Sequence, residues 1–437
     1  MEHSAEKMEK IVSLCKRRGF VFQGSEIYGG FAGAYDYGPL GVALNNNLKR
    51  EWWKMFVESR EDMYGLDAAI LMNEKVWEAS GHTGAGFSDP LVECEKCKRR
   101  FRADHLENKE TCPECGGKLG EERQFNLMFE TKVGAQGDAK SYLRPETAQG
   151  IFVNFKNVLD SMSPKLPFGI AQIGKAFRNE IAPREFLFRV REFEQAEIEY
   201  FLKPEDWERL FEAWREDVWK WIDHIGVARE HVRELEVDAN DLAHYSKRTV
   251  DFEYDYPGKG FAELLGLAYR TDHDLRSHME ASGEKLEYIE PDGTRFIPHV
   301  IEPSFGLGRA FIAVLAEAYT EDEMNGEVRT YLKLPTHLAP YRAAVSPLLK
   351  NKPELVTKAR EVFSMLKQEF GNVAWDDNGN IGKRYRRQDE IGTPACIVID
   401  FETIEGETKD TVTVRDRDTG AQVRVPIADL VSHLTSA

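Results

Sequence analysis

The chain has 437 residues, 42% hydrophobic and 30% charged, a composition that suits a soluble globular protein large enough for two or three domains. Its longest apolar runs fall short of a bilayer span, and Met1–Lys10 alternates charges where a secretory signal needs an apolar run, so a cytoplasmic protein with no membrane role is expected. A net charge of −17 excludes general affinity for nucleic acid and confines any RNA contact to a local surface.

In chain order, Met8–Arg18 reads as a short helix, followed by a glycine- and aromatic-rich stretch, Gly24–Gly41. Leu44, Leu48, Trp52, Met55 and Phe56 recur at helical spacing and predict a helix over about Val42–Glu58. Within Tyr64–His82, the run Leu66–Leu71 is a candidate strand. Next come Cys94-x-x-Cys97 and Cys112-x-x-Cys115, 14 residues apart, just under the usual spacing of a zinc ribbon. Four thiolates from two tight turns match the tetrahedral preference of Zn²⁺ and leave no open coordination position, so a structural zinc in an insertion over 90–120 is expected. His105 lies between the pairs and is an alternative ligand. The run Arg99–His105 is basic enough to touch an RNA end.

Phe168–Glu180 and Phe186–Tyr200 both alternate and flank a short loop, Ile181–Glu185, which predicts an antiparallel pair. In the second segment Arg189, Arg191, Phe193, Gln195, Glu197 and Glu199 share one face, and Phe188, Val190, Ala196, Ile198 and Tyr200 the other. Arg191 and Glu197 then lie about 20 Å apart on one side, cations at one end and carboxylates at the other. Arg178 and Glu180 share a face of the first segment. A solvated, salt-bridged sheet would have the same pattern. Pro204–Ile222 is an amphipathic helix whose aromatic stripe, from Trp207 to Trp221, belongs in a core. Pro298–Phe305 reads as a strand, and Gly306-Leu307-Gly308-Arg309 opens a helix through Ala318, whose free N–H groups suit an anion.

Leu332–Pro340, with two prolines, reads as a linker. Beyond it, Ala343–Leu348, Val373–Trp375, Ala395–Ile399 and Thr411–Val414 read as strands, with a helix over about Pro353–Phe370. From Tyr331 to Ala437 the charges balance at 15 of each sign, so the acidic excess lies upstream. Ile381–Pro394 gathers Lys383, Arg384, Arg386 and Arg387 around Tyr385.

Phe177-Arg178-Asn179-Glu180 and Arg189-Val190-Arg191-Glu192-Phe193-Glu194-Gln195-Ala196-Glu197 resemble motif 2 of the class II aminoacyl-tRNA synthetases in its glycyl form, and Glu302–Arg309 resembles motif 3. Tyr142–Gly150, Gly260–Gly266 and Val76–His82 resemble the same family. The resemblance implies an α+β fold: an antiparallel catalytic sheet flanked by helices over 1–334, carrying the zinc insertion, and a C-terminal α/β anticodon-binding domain over 335–437. It implies that Arg178 holds the ATP α-phosphate, Arg309 meets the γ-phosphate, and Phe193 stacks on adenine. Glu180 and Arg189 or Arg191 help to fix the nucleotide, Glu263 takes nucleotide or Mg²⁺, and Arg178, Arg309 and Glu263 carry catalysis. Asn179, Phe188, Val190, Glu192, Leu264, Gly306, Leu307 and Gly308 complete the ATP-binding set. Glycine falls to Glu146, Glu197, Glu302 and Ser304, with Arg102, Phe193, Glu194, Gln195, Ala196, Pro303, Phe305 and Gly306 around it. Lys383, Arg384, Arg386 and Arg387 are implied as tRNA contacts.

The implied activity joins glycine to tRNA(Gly) through glycyl-adenylate, in a homodimer. The sequence departs from the family at Ala196, where many bacterial relatives carry Met, and at Gly308, where an acidic residue is common. Motif 1 lacks its usual proline. A synthetase for another small amino acid, or a noncatalytic synthetase-like nucleic-acid-binding protein, would share part of these patterns. Arg178, Glu180, Glu263 and Arg309 together argue against the second, which has no use for an ATP site.

Overall fold

The computed structural model describes residues 2–136, 139–183, 185–243, 245–324 and 326–436. Seven strands form the central sheet: Met63–Gly65 (β1), Phe168–Phe177 (β2), Glu192–Leu202 (β3), Val232–Glu236 (β4), Arg248–Tyr256 (β5), Gly260–Thr271 (β6) and His299–Gly306 (β7). Their order is β4-β5-β6-β7-β3-β2-β1, and every neighbouring pair is antiparallel except β1 with β2. The registers set Gln172, Glu197, Ser304 and Gly266 in one row across four strands.

The two faces of β3 differ as its alternation predicts. Ala196, Ile198 and Tyr200 join a large core with helices Pro39–Trp53, Trp207–His224 and Leu307–Ala318. Trp52, Phe56, Trp221 and Phe305 meet there edge-on or tilted, with ring centroids 5.2–6.3 Å apart. On the opposite face, Phe201 joins a smaller cluster with Phe152, Phe155, Phe168 and Ile170, and the odd positions above it line a cleft.

Several boundaries differ from the sequence reading. The second strand of the pair begins at Glu192, because Glu185 and Phe186 have φ of 66° and 54° and Phe186–Phe188 makes a single 3₁₀ turn. Arg184 of the intervening loop lies outside the described residues. The first strand stops at Phe177, so Arg178–Glu180 belong to the turn beyond it. The strand expected at Leu66–Leu71 is Met63–Gly65 instead, and Leu71 makes only an isolated bridge to Leu143. The N-terminal helix spans Glu2–Arg18, starting before the expected Met8, and the next spans Pro39–Trp53 and widens into π-type turns over Lys54–Glu58.

The expected linker is pinned. Leu334, Leu338 and Ala339 are buried, and the Asn47 amide donates to the carbonyls of Leu338 and Ala339 at 3.1 and 2.9 Å. After it, a five-stranded mixed sheet has the order Val373–Trp375, Ala343–Pro347, Ala395–Ile399, Thr411–Asp416, Gln422–Pro426. Helix Pro353–Phe370 packs on it through Leu355, Ala359, Val362 and Leu366. Among the described residues no helix is long and apolar enough to cross a membrane.

Candidate active site and zinc site

A cavity of about 610 Å³ opens on the odd face of β3. At one end it receives Arg178, from the turn after β2, and Arg309, from the first turn of the helix that follows β7. The Arg178 guanidinium lies 5.5 Å from the ring centres of Phe87 and of Phe193, and its Nε donates to the Pro145 carbonyl at 3.1 Å. Arg309 lies 4.6 Å from the Phe188 ring centre and donates from Nη1 to the Glu263 carboxylate at 2.9 Å and the Glu263 carbonyl at 3.0 Å. That guanidinium holds the Glu263 carboxyl below its usual range. Beside it, burial and the Glu263 charge push Asp251 up to about 7. Burial also raises the Glu180 carboxyl, one oxygen of which meets no donor among the described residues. Arg189, Val190, Gly306 and Gly308 complete this end.

The other end is acidic and buried. Glu197 accepts from the Thr147 backbone N–H at 3.0 Å, the Ser304 hydroxyl at 2.8 Å and the Gln195 amide at 3.1 Å, and also from the Thr147 hydroxyl. Glu146 faces His82 Nε2 at 3.3 Å and accepts from Gln149 at 3.1 Å. Burial opposes its charge, yet His82, Arg270 and Gln149 hold its pKa below the usual range. Glu302 accepts from Arg270 at 2.7 Å, and Arg270 forks onto both oxygens of Asp274 at 2.8 Å. Burial, with the charges of Glu197 and Glu146, pushes Glu302 up to about 7 against the pull of Arg270. This end therefore gathers Glu146, Glu197, Glu302 and Asp274 around the Arg270 guanidinium, a surplus of carboxylates that a small ammonium fits.

Several predicted residues lie elsewhere. Arg191 donates to the carbonyls of Ala32 and Glu180 at 2.6 and 3.1 Å, so it braces the loop and only Arg189 of the pair reaches the cavity. Glu192 is exposed and pairs with Lys175. Glu194 does border the cavity, but its carboxylate turns to Asn45 and Lys49 at 2.5 and 3.0 Å. Ala196, Leu264, Pro303, Phe305 and Leu307 are buried outside the cavity wall. Asn179 lines a neighbouring pocket with Asn126 and Tyr142. Arg102 does line the cleft and pairs with Asp89 and Asp104, each at 2.7 Å.

Sequence reasoning passed over Arg270, Asp274, Gln149, Thr147 and His82. The signal for two of them was present: Arg270 ends an otherwise apolar strand run, and Asp274 follows four residues later.

The four cysteine Sγ atoms lie within 4.8 Å of one another, with Cys94 to Cys115 at 3.6 Å and Cys97 to Cys112 at 3.8 Å. A tetrahedron with Zn–S of about 2.3 Å needs S···S of about 3.8 Å, so the quartet fits Zn²⁺. A Cβ on Gly117 would sit 3.1 Å from Cys94 Sγ and 3.3 Å from Cys115 Sγ, which explains a glycine there. His105 is outside the quartet and faces Asp104.

On helix Ile381–Glu390, Lys383 and Arg386 are exposed. Arg384 is buried, with its donors on the carbonyls of Pro347, Asp377 and Gly379. Arg387 forks onto Asp376. These two brace their own domain, and Arg384 is withdrawn from any surface contact.

Residues 129–319 match the class II tRNA synthetase core domain model (G, H, P, S and T), and 342–436 match the anticodon binding domain model. The chain is similar to a glycine-tRNA ligase of Clostridium tetani, 49% identical over 98% of each chain. One from Treponema denticola is 49% identical over 99% of this chain and 98% of its own. A third, from Geobacillus thermodenitrificans, is 50% identical over 98% and 97%.

Proposed function

The chain belongs to the glycine-tRNA ligase family of class II aminoacyl-tRNA synthetases, and from that premise we propose how its cleft activates glycine with ATP and passes it to tRNA. The observation that carries the reading is that Arg178 and Arg309 open into one cavity with Glu146, Glu197 and Glu302.

ATP lies at the arginine end. Arg178 neutralises the α-phosphate as the glycine carboxylate attacks it and pyrophosphate leaves, while Arg309 orients the γ-phosphate. Adenine stacks on Phe193, and Arg189 and Glu180 fix the nucleotide. The Glu263 carboxylate, half-exposed into the cavity beside Asp251, fits a hard cation and would hold the Mg²⁺ that accompanies ATP. Bound Mg²⁺ supplies further charge neutralisation at the phosphates. The glycine ammonium lies among Glu146, Glu197, Glu302 and Ser304. Hydroxyl and backbone donors keep Glu197 turned toward it. In the second step the terminal ribose hydroxyl of the tRNA attacks the adenylate carbonyl and AMP leaves. Size discrimination favours glycine, because a closed pocket rejects larger side chains sterically.

Domain limits of 1–334, with the insertion at 90–120, and 335–437 belong to this reading; the insertion and the C-terminal sheet have hydrophobic clusters of their own, while Leu338 and Ile391 pack into the large core of the first part. The Cys94, Cys97, Cys112 and Cys115 thiolates would hold a structural Zn²⁺. Lys383 and Arg386 are the anticodon-side cations exposed enough to reach phosphate, Arg386 by exchanging its surface partner Glu327 for it. A cytoplasmic homodimer belongs to the same reading.

Glycine-dependent exchange of pyrophosphate into ATP tests the activity. Exchange with glycine and none with alanine or serine is expected; equal exchange with alanine would overturn the assignment.

A further inference from the structure

Glu199 has no part in the chemistry above, yet it is fully buried on the cleft face of β3. The β3–β7 register pairs Glu197 with Ser304 and Tyr200 with Ile301, which sets Glu199 directly opposite Glu302. Opposed residues of antiparallel strands have Cβ atoms about 5 Å apart, so the two carboxyls meet. On the side away from the cleft lies the apolar cluster of Phe152, Phe155 and Phe201. Neither oxygen of Glu199 meets a hydrogen-bond donor among the described residues. Arg270, the guanidinium at hand, is engaged already, with Nε and Nη2 on Asp274 and Nη1 on Glu302.

Two buried carboxyls face to face with one cation cannot both ionise without large cost. The proton stays on the member that lacks the guanidinium, and that member is Glu199. Burial first, and then the Glu302 and Glu197 charges against the pull of Arg270, push the Glu199 carboxyl well above its ordinary range.

We propose that Glu199 is a positioning residue that keeps its proton and donates it in a hydrogen bond to Glu302, holding that carboxylate toward the substrate ammonium. The inference rests on the reading of this pocket as the glycine site. A neutral acid beneath Glu302 orients it and adds no further negative charge to a pocket already crowded with the carboxylates of Glu146, Glu197 and Glu302.

The test compares Glu199→Gln with Glu199→Ala in the full-length enzyme. The amide of Glu199→Gln supplies an N–H in place of the acid proton, so KM for glycine should stay within about threefold of wild type. Glu199→Ala removes the donor and should raise KM for glycine about tenfold or more, with a smaller change in kcat. A Glu199→Gln enzyme whose KM rises as far as that of Glu199→Ala would overturn the proposal, because charge and not a proton would then be what matters.

Infrared spectroscopy gives a second readout that needs only folded protein. At about pH 8.5, where Glu302 is ionised, wild type should show a protonated-carboxyl C=O stretch that Glu199→Gln lacks. Its absence from wild type would overturn the proposal. Wild type without glycine-dependent exchange would sink the functional reading instead, and the infrared band would still decide the state of Glu199.

Discussion

At the scale of single residues, the site depends on a few charges held by short chains of donors. Arg178 is fixed by the Pro145 carbonyl and two aromatic rings, so in the proposed reaction it would meet the α-phosphate without reorganising. Arg178→Ala should lower adenylate formation by about 10²- to 10³-fold, as loss of one preorganised donor does. Pyrophosphate exchange within threefold of wild type would refute the role. Glu302, pushed up to about 7, gains a proton as pH falls through that value and then no longer attracts an ammonium. KM for glycine should therefore rise about tenfold between about pH 8 and about pH 6, and Glu302→Gln should flatten the profile. Motif spacing made Arg178, Glu197 and Arg309 legible in the sequence. Arg270 and Asp274 left only a faint mark there, an arginine closing an apolar run and an acid four residues on, because what matters about them is their burial beside Glu302, and burial is not written into a single position.

Elements set these residues by register and close approach. In β2, a Cβ on Gly174 would lie 2.2 Å from Arg144 Nη2, and Arg144 itself is buried on the carbonyls of Lys175 and Ala68 at 2.6 and 2.7 Å. Gly174→Ala should cost about 1 to 3 kcal/mol, read as a lower urea midpoint at unchanged slope. The cysteine insertion has a core of only a few residues, among them Val92, Phe101, Ala103 and Leu119, so on the proposed Zn²⁺ reading metal binding on the order of 10 kcal/mol would decide whether it folds. Chelation should expose the segment between Cys94 and Cys115 to proteolysis, and active protein should contain one equivalent of zinc; active protein with less than one would contradict the structural role. Strand alternation predicted the pairing of β2 with β3, whereas the start of β3 escaped it. Two left-handed residues, Glu185 and Phe186, break the chain direction where the sequence still alternates.

Across the whole molecule, the two parts are joined by buried ion pairs. Asp389, on helix Ile381–Glu390, accepts from Arg329 of the Glu327–Leu332 strand at 3.3 Å and from Arg415 of the C-terminal sheet at 2.8 and 3.0 Å. Asp389→Ala would leave Arg415 buried without its acid, and Arg329 with Asp322 and the carbonyls of Arg417 and Asp418, at a cost of about 3 to 5 kcal/mol. Calorimetry should then resolve two thermal transitions, and a single transition at the wild-type midpoint would argue against this coupling. The basic run on that helix shows where sequence reading stops. Lys383, Arg384, Arg386 and Arg387 are alike as a string, but one turn of helix exposes Lys383 and Arg386 and turns Arg384 inward onto three carbonyls. The sequence by itself determined the class of fold, the paired strands, the cysteine quartet and the arginine and glutamate motifs, because periodicity and spacing are local properties of a chain. Only the tertiary structure decided which of those charges face one cavity, which brace the scaffold, and which carboxyl of a buried pair lacks a cation, because each depends on neighbours brought from distant strands.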